Sequence, residues 1–434
     1  MLSRKATFKM YPNATERQAL ERCVVAHCKV FNTLLEVSKL RYKAGLSAYN
    51  RASVCQDAQA VRNQLGWVKE RTLANSLQVT GERLVKAFDA FFRRLAAGET
   101  PGYPRFKSAR RYSGFGFKKQ GEGYRLQRKV VATEGGPAFR YGSVVLSGIG
   151  TIGLRGKARF DGRPTSAEVS RKGDDWYLSV TFEVTEEAVA RPCLGLAPFV
   201  FDAGITDLLT TLKYDQGAAV FDTVANPRWL KARLAELVRL QREVSALEEV
   251  AKKSSGRLSG FAVNAQLGAA YTRLRRVHRK VRNQRTDFYE KLTTWMAQTF
   301  GHIITEELDV SSMLTQEGKG SGLKRGIADA AWATGLLDKI SRKAEEAGGK
   351  FEMVPTRLVK PTRRCSCCGL VKAKEDMPMS QRVFVCLGCG FTLQRDQNAC
   401  KNMARYAFEG AWWPKEIGAG TSPETPSQTP VWVE

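Results

Sequence analysis

Apolar positions alternate at the start of the chain (Ala6, Phe8, Met10), which predicts a short strand over the first ten residues. Tyr11-Pro12-Asn13-Ala14-Thr15 reads as a turn with Thr15 as helix N-cap. From Glu16 to Leu95 the apolar period is helical, carried by Leu20, Cys23, Val24, Cys28 and Phe31 and later by Leu84, Phe88, Phe91 and Phe92. Gly98 to Pro104 breaks that pattern. Phe115 to Val184 then alternates in short runs separated by glycine-containing turns, most clearly over Trp176 to Phe182, and reads as β. Phe199 to Gly204 predicts a buried strand ending at Asp202, with a second strand near Leu208 to Lys213. Long helices are expected over Pro227 to Lys253 and Val263 to Phe300, a strand over His302 to Leu308, and a helix over Ala328 to Ala347. A strand at Phe351 to Val354 and a last helix over Arg395 to Phe408 follow. The Pro/Ser/Thr/Gly-rich stretch from Trp412 reads as a disordered tail.

Composition narrows what such a chain can do. At about 150 residues per domain, 434 residues suggest about three domains. A hydrophobic content of 43% is enough for a sizeable core, so the formal charge of +26 belongs to a folded protein and not to a disordered polycation. Such an excess points to a polyanionic partner, nucleic acid before an acidic membrane. No apolar run reaches the ~20 residues of a membrane span. The start MLSRKATFK has no apolar h-region, so no secretory signal and a cytoplasmic location are expected. With three histidines, His27, His278 and His302, serial histidine acid–base chemistry is not expected.

Four cysteines are scattered early and six fall between Cys365 and Cys400. In a reducing compartment, clustered cysteines read as metal ligands before disulfides. Cys365-x-x-Cys368 and Cys386-x-x-Cys389, separated by 17 residues, have zinc-ribbon spacing. Two such knuckles place four thiolates tetrahedrally about Zn2+ with no open position, so this zinc is structural. Gly369 and Gly390 permit the turn after each knuckle, and Cys367 is expected to point away. His27 with Cys23 and Cys28 reads as a buried helix face, and Gly318 to Gly326 as a mobile lid.

Three carboxylates stand in distinctive settings. Asp202 ends an apolar strand before Gly204, Glu306 sits at a strand end in Ile303-Ile304-Thr305-Glu306-Glu307-Leu308, and Asp396 opens a helix in Arg395-Asp396-Gln397-Asn398-Ala399. Carboxylate oxygens brought together bind Mg2+ or Mn2+, and two ions about 3.5–4 Å apart activate water and steady the leaving oxygen of a phosphodiester. That pattern suits an RNase-H-like nuclease. Adjacent strand residues point to opposite faces, so Glu306 and Glu307 are alternatives at this stage.

The same residues carry a family resemblance. Tyr11-Pro12 with Gln18, Phe91-Phe92-Arg93-Arg94, Gly102-Tyr103-Pro104-Arg105-Phe106-Lys107-Ser108, Asp202-x-Gly204, Glu306-Glu307-Leu308, the paired knuckles and Arg395-Asp396-x-Asn398-Ala399 resemble the motifs of transposon-encoded TnpB proteins, relatives of compact type V CRISPR effectors. The resemblance covers about residues 4–410. It implies a multidomain α/β fold: an RNase-H-like RuvC domain with a zinc-ribbon insertion, a β-barrel-like wedge module and a helical recognition lobe. The implied boundaries are 1–14 (first wedge strand), 15–100 (recognition lobe), 101–192 (rest of the wedge), 193–360 (RuvC-like nuclease), 361–392 (zinc ribbon, target nucleic-acid-binding), 393–410 (RuvC C-terminal part) and 411–434 (tail). In this family residues 1–14 would pack against about 105–190.

The resemblance further implies an RNA-guided DNA endonuclease, with guide RNA and double-stranded target DNA and its unwound strands as partners and no membrane. Asp202, Glu306 and Asp396 would be the Mg2+ ligands; the motif register favours Glu306. Lys5, Lys9, Arg105, Lys107, Arg110, Arg111, Lys118, Lys119, Arg273, Arg276, Arg279 and Lys280 are the candidate phosphate contacts. Tyr103, Phe106 and Tyr112 are candidates for stacking on bases. Departures from the family pattern are Gln394 where aspartate is common, Ala203 for a bulky apolar residue, and Arg363-Arg364 before the first knuckle. Three alternatives share the mechanism or the surface: a CRISPR effector, a guide-directed DNA-binding regulator without cleavage, and a strand-exchanging transposase.

Overall fold

The computed structural model describes residues 2–46, 50–133, 136–156, 162–185, 193, 195, 197–253, 258–315, 321–330, 332–378 and 380–408. The chain divides into two compact units, Met1–Val189 and Ala190–Glu434. The expected tail lies outside the described residues, as do the first three residues of the expected lid.

In the first unit, strand β1 (Leu2–Tyr11) leads into helices α1 (Ala14–Lys43), α2 (Arg51–Gln64), α3 (Gly66–Lys69) and α4 (Ala74–Ala96). Strands β2 (Gly114–Phe117), β3 (Tyr124–Thr133), β4 (Gly136–Leu146), β5 (Gly150–Arg155), β6 (Arg163–Lys172) and β7 (Asp175–Val184) follow. They form one antiparallel sheet in the order β2-β6-β7-β1-β5-β4-β3, a half-barrel rather than a closed one. β1 sits in its middle, pairing Phe8 with Leu178 and Met10 with Leu154. The packing of the first residues onto the later β segment is therefore as expected. β7 alternates strictly between buried and half-buried positions, as its sequence does. Its inward residues Trp176, Leu178 and Phe182 join Phe8, Leu20, Phe31, Phe88 and Phe115 in one core.

The α1 N-cap is Asn13, not Thr15. Asn13 Oδ1 accepts the Glu16 N–H at 2.9 Å, and the Glu16 carboxylate accepts the Asn13 N–H at 2.9 Å. This reciprocal pair satisfies two otherwise orphaned donors, which a cap at Thr15 would leave unmet.

His27 is fully buried on α1. Its ring stacks on Phe115 at 5.1 Å, Nδ1 meets the Thr80 hydroxyl at 2.7 Å, and Nε2 meets Ser76 Oγ at 3.3 Å. Burial, helped by the Arg83 charge, pushes its pKa down to about 3. The folded state thus holds the neutral ring while the unfolded chain protonates near 6.5. Stability is full above that pH and is lost as pH falls towards 3. We expect His27 to cost about 2 kcal/mol between pH 7 and pH 5. Comparing urea midpoints at the two pH values should show a larger drop for the wild type than for His27→Leu.

The second unit is built on strands β8 (Pro198–Ala203), β9 (Asp207–Asp215) and β10 (Ala218–Ala225), then helices α5 (Trp229–Ala232), α6 (Leu234–Lys253) and α7 (Leu258–Thr299). Strand β11 (His302–Glu306), helices α8 (Val310–Thr315) and α9 (Ser321–Ala330), a π-helical turn (Trp332–Leu337), helix α10 (Asp338–Glu346), strand β12 (Lys350–Val354) and helix α11 (Thr356–Val359) come next. A two-stranded ribbon, β13 (Val383–Val385) and β14 (Thr392–Gln394), precedes α12 (Arg395–Phe408). The main sheet has the order β10-β9-β8-β11-β12, antiparallel through β8 and parallel across β8, β11 and β12. β8 is buried at five consecutive positions, which explains its unbroken apolar run.

Two expected helices are interrupted. The one from Pro227 starts later and is broken at Arg233 into α5 and α6: Arg228, ahead of α5, is left-handed (φ 48°), with Asn226 Oδ1 accepting its N–H at 3.1 Å, and the buried Asp329 carboxylate accepts the Leu230 and Lys231 N–H groups to start α5. The one from Ala328 becomes α9, the π-turn and α10, and the Tyr289 hydroxyl donates to the carbonyl of Ala330 where α9 ends. The start of α5 and the end of α9 thus rest on partners distant in sequence, which local periodicity does not register. From Ser321 the expected lid is helical rather than a loop. α6 and α7 pair through Leu237, Leu240 and Val277, and Arg273 on the basic stripe bonds Glu243.

Candidate functional site

Asp202 ends β8 and Glu306 ends the neighbouring parallel strand β11. The ladder pairs His302 with Pro198 and Ile304 with Val200. Continued in the same register, it sets Glu306 level with Asp202, and level residues on adjacent strands project from the same face. Glu306 is half-buried, whereas Glu307 is exposed and its N–H bonds the Val354 carbonyl at 3.0 Å. Alternation therefore separates the two glutamates as the pleat requires. The Thr356 hydroxyl donates to Glu306 Oε2 at 3.2 Å and to the Glu307 carbonyl at 2.8 Å.

The chain can turn directly after Asp202 because of Gly204. A Cβ there would lie 2.5 Å from the Asp207 carbonyl oxygen, so only glycine fits beside the 3.0 Å bond from Gly204 N to Leu208 O. Ala203 ends the strand without crowding this turn.

Asp396 lies in the first turn of α12, which packs on β8, β9, β11 and β12. Gln394, the departure noted above, caps that helix: its Oε1 accepts the Gln397 N–H at 2.8 Å while its Nε2 donates to Asp396 Oδ2 at 3.3 Å. An aspartate in its place could only accept. Arg395 and Arg382 each approach Asp396 to 3.7 Å.

Asp202 feels both of the other carboxylates. Burial, then the charges of Glu306 and Asp396, push the Asp202 carboxyl well above its ordinary range against the pull of Arg395. Burial also raises Glu306, opposed by Thr356 and Arg395. Among the described residues, the four knuckle cysteines are the group of three or more such side chains whose ligand atoms all lie within 4.8 Å of one another. The three carboxylates do not form so tight a group.

The four cysteines could hold a metal ion as they stand. Cys365 Sγ lies 3.7 Å from Cys389 Sγ and Cys368 Sγ 3.5 Å from Cys386 Sγ. A tetrahedron with metal–sulfur bonds of ~2.3 Å has edges of ~3.8 Å, so the thiols already approximate its shape. Gly369 and Gly390 are left-handed (φ 81° and 73°), and backbone N–H groups of Cys367 and Gly388 point at sulfur, both at 3.4 Å. Cys367 is exposed, as expected.

Two residues without an assigned role in the sequence reading tie this ribbon to the helix bearing Asp396. Asn398 accepts from Ser366 N at 3.0 Å and donates to the Arg364 carbonyl at 2.8 Å. Asn402, one turn on, donates to the carbonyls of Pro361 and Arg364. Two asparagines one helical turn apart were the available signal.

Many candidate phosphate contacts already have acidic partners: Lys5 with Glu168, Lys9 with Asp175, Lys118 with Glu82 and Lys119 with Glu122. Arg105, Arg110, Arg111, Arg276 and Lys280 are exposed, and Arg279 is half-buried. Lys107 lies over the rings of Phe31 and Tyr112. Tyr112 is buried at 2% exposure, so it is a core residue and the stacking role expected of it is withdrawn.

Comparison with known proteins agrees with this architecture. The family model described as "Probable transposase" matches residues 200–317, and the model described as "Cas12f1-like, TNB domain" matches residues 334–403. A Mycobacterium tuberculosis protein named "Putative RNA-guided DNA endonuclease" is 28% identical over 92% of this chain and 85% of its own length. An Escherichia coli protein of the same description, InsQ, is 26% identical over 91% and 90%. Among solved structures, a Cas12f1–sgRNA–target DNA complex aligns with TM-score 0.52 and 12% identity over 93% of this chain and 98% of that one. The mini-RNA-guided endonuclease CRISPR-Cas phi3 aligns with TM-score 0.51 and 10% identity over 96% and 93%. The fold is thus similar to that of these two solved structures. In sequence the chain is similar over most of its length to proteins named as RNA-guided DNA endonucleases, and its motifs resemble those of TnpB proteins.

Proposed function

We propose that this protein is an RNA-guided DNA endonuclease. A bound guide RNA would read the target by base pairing beside a short DNA motif, with cutting at Asp202, Glu306 and Asp396. The observation that carries the reading is the meeting of these carboxylates from two adjacent parallel strand ends and one helix start. Mg2+ ions there would lower the pKa of bound water and stabilise the leaving oxygen. The chain's own contribution is orientation: β8 and β11 fix two carboxylates in register, Thr356 holds Glu306, and Gln394 holds Asp396. Burial and mutual repulsion leave the trio in need of cations. We assign Zn2+ to the four cysteines, and the names of the relatives support guide RNA and target DNA as partners. Among the described residues, no helix is long and apolar enough to cross a membrane.

The test is cleavage of a matched duplex by the protein carrying its copurified RNA, in Mg2+ and in EDTA. Cut ends in Mg2+ alone are expected; a bound but intact duplex would indicate the regulator reading, and joined products a transposase. Glu306→Gln should lower the rate by about a hundredfold or more while Glu307→Gln leaves it within about twofold, as expected for a transition-state ligand and a solvent-facing neighbour.

A further inference from the structure

The geometry points to a base-stacking surface at one end of the helical part of the first unit, formed by Tyr42, Phe92, Tyr103 and Phe106 and taking unpaired bases of a single-stranded nucleic acid. It rests on the nucleic-acid reading above and adds a place and a mode of contact.

The segment Tyr103–Lys107 runs antiparallel along the second half of α1. Asn32 clamps its far end, accepting the Lys107 N–H at 2.9 Å and donating to the Lys107 carbonyl at 2.8 Å. Further along, Lys39 sits 4.1 Å from the centre of the Phe106 ring. Tyr42 follows that lysine by about one turn on α1, and burial first, with Tyr42 second, holds the Tyr103 phenol above its ordinary range. Tyr103 is backed by α4, edge-on to Phe88 at 5.6 Å and to Phe91 at 5.3 Å, and Phe91 meets Phe92 at 5.1 Å. The inner rings fasten the outer ones.

The outer rings remain in solvent, Tyr42 at 68% exposure, Phe106 at 51% and Phe92 at 42%. Exposed aromatic side chains seated on a rigid base are costly to leave wet unless a partner covers them. Charge identifies that partner. Residues 102–111 contain four basic and no acidic side chains, Arg105 is exposed between the rings, and the Lys39 ammonium over Phe106 adds a cation to the same strip. Flat π-faces interleaved with cations suit bases and phosphates together, whereas an apolar protein partner would have to bury these charges.

The experiment uses the full chain freed of RNA, in EDTA so that no strand is cut. Fluorescent oligothymidine is compared with an abasic oligomer carrying the same number of phosphates. Stacking is worth about 1–3 kcal/mol per base, so the wild type should prefer oligothymidine by about tenfold or more. The pair Tyr42→Ala and Phe106→Ala, both at exposed positions, should erase most of that preference and leave the salt dependence unchanged, because no phosphate contact is removed. Arg105→Gln should do the reverse. Equal affinity of the wild type for both oligomers, or a preference that survives the double substitution at unchanged melting temperature, would overturn the proposal. Capture of neither oligomer but of anionic lipid vesicles would overturn it in favour of a membrane. None of these outcomes depends on whether Asp202 cuts DNA.

Discussion

Asp202→Ala should abolish cutting, by at least about a thousandfold, while guide RNA and target remain bound. The magnitude follows from the loss of one of three carboxylate arms in the two-ion site proposed above. Asp202 is buried, repelled by Glu306 and Asp396, and held above its normal pKa by that setting. Alanine removes the repulsion and the desolvation cost of a carboxylate, so the melting temperature should hold or rise. A rise in stability with a collapse in rate separates a chemical role from a packing role. Single-turnover cleavage beside a filter-binding assay measures both. A normal rate would remove the carboxylates from the chemistry; lost target binding would place Asp202 in recognition.

Cys386→Ala should release the metal and disable the nuclease without touching a carboxylate. Structural zinc contributes about 10–16 kcal/mol to the folding of small zinc modules, far more than the ribbon's small core of Cys365, Met377, Phe384 and Cys386 supplies. With one thiolate gone, the peptide from Arg364 to Thr392 should become the first protease-cleaved segment. The damage should spread, because Asn398 and Asn402 bond the ribbon backbone from the helix that carries Asp396. Expected results are one zinc per chain in the wild type by elemental analysis, less than about a tenth of that in the variant, and a cleavage rate down by about a hundredfold. Cys367→Ser, at the exposed neighbour, should change neither quantity. Zinc retained by Cys386→Ala would remove that thiol from the ligand set.

What the sequence disclosed and what it hid follow from the range of the interactions. Strand β7 announces itself because its burial alternates locally. The cysteine knuckles are legible because ligand and turn lie within five residues. The start of α5 and the end of α9 are held by Asp329 and Tyr289, 99 and 41 residues from the groups they bond, and no local period encodes them. Tyr112 looked like a stacking residue because it neighbours arginines, but the fold turns it into the core. The capping residue was misplaced by two positions, since Asn13 and Thr15 are both good caps and Glu16 decides between them. The family motif already favoured Glu306 over Glu307, and the pairing register of β11 supplies the physical reason.

The central place of β1 has a consequence for how the molecule is made. A ribosome releases Leu2–Tyr11 early, yet both of its hydrogen-bonding neighbours, β5 and β7, are translated more than 130 residues later. Until then the emerging polypeptide carries an unsatisfied strand next to four helices that need only short-range contacts to form. Assembly of the sheet thus waits until β7 has been made, and a nascent chain stalled before Asp175 would be the species that chaperones most need to shield.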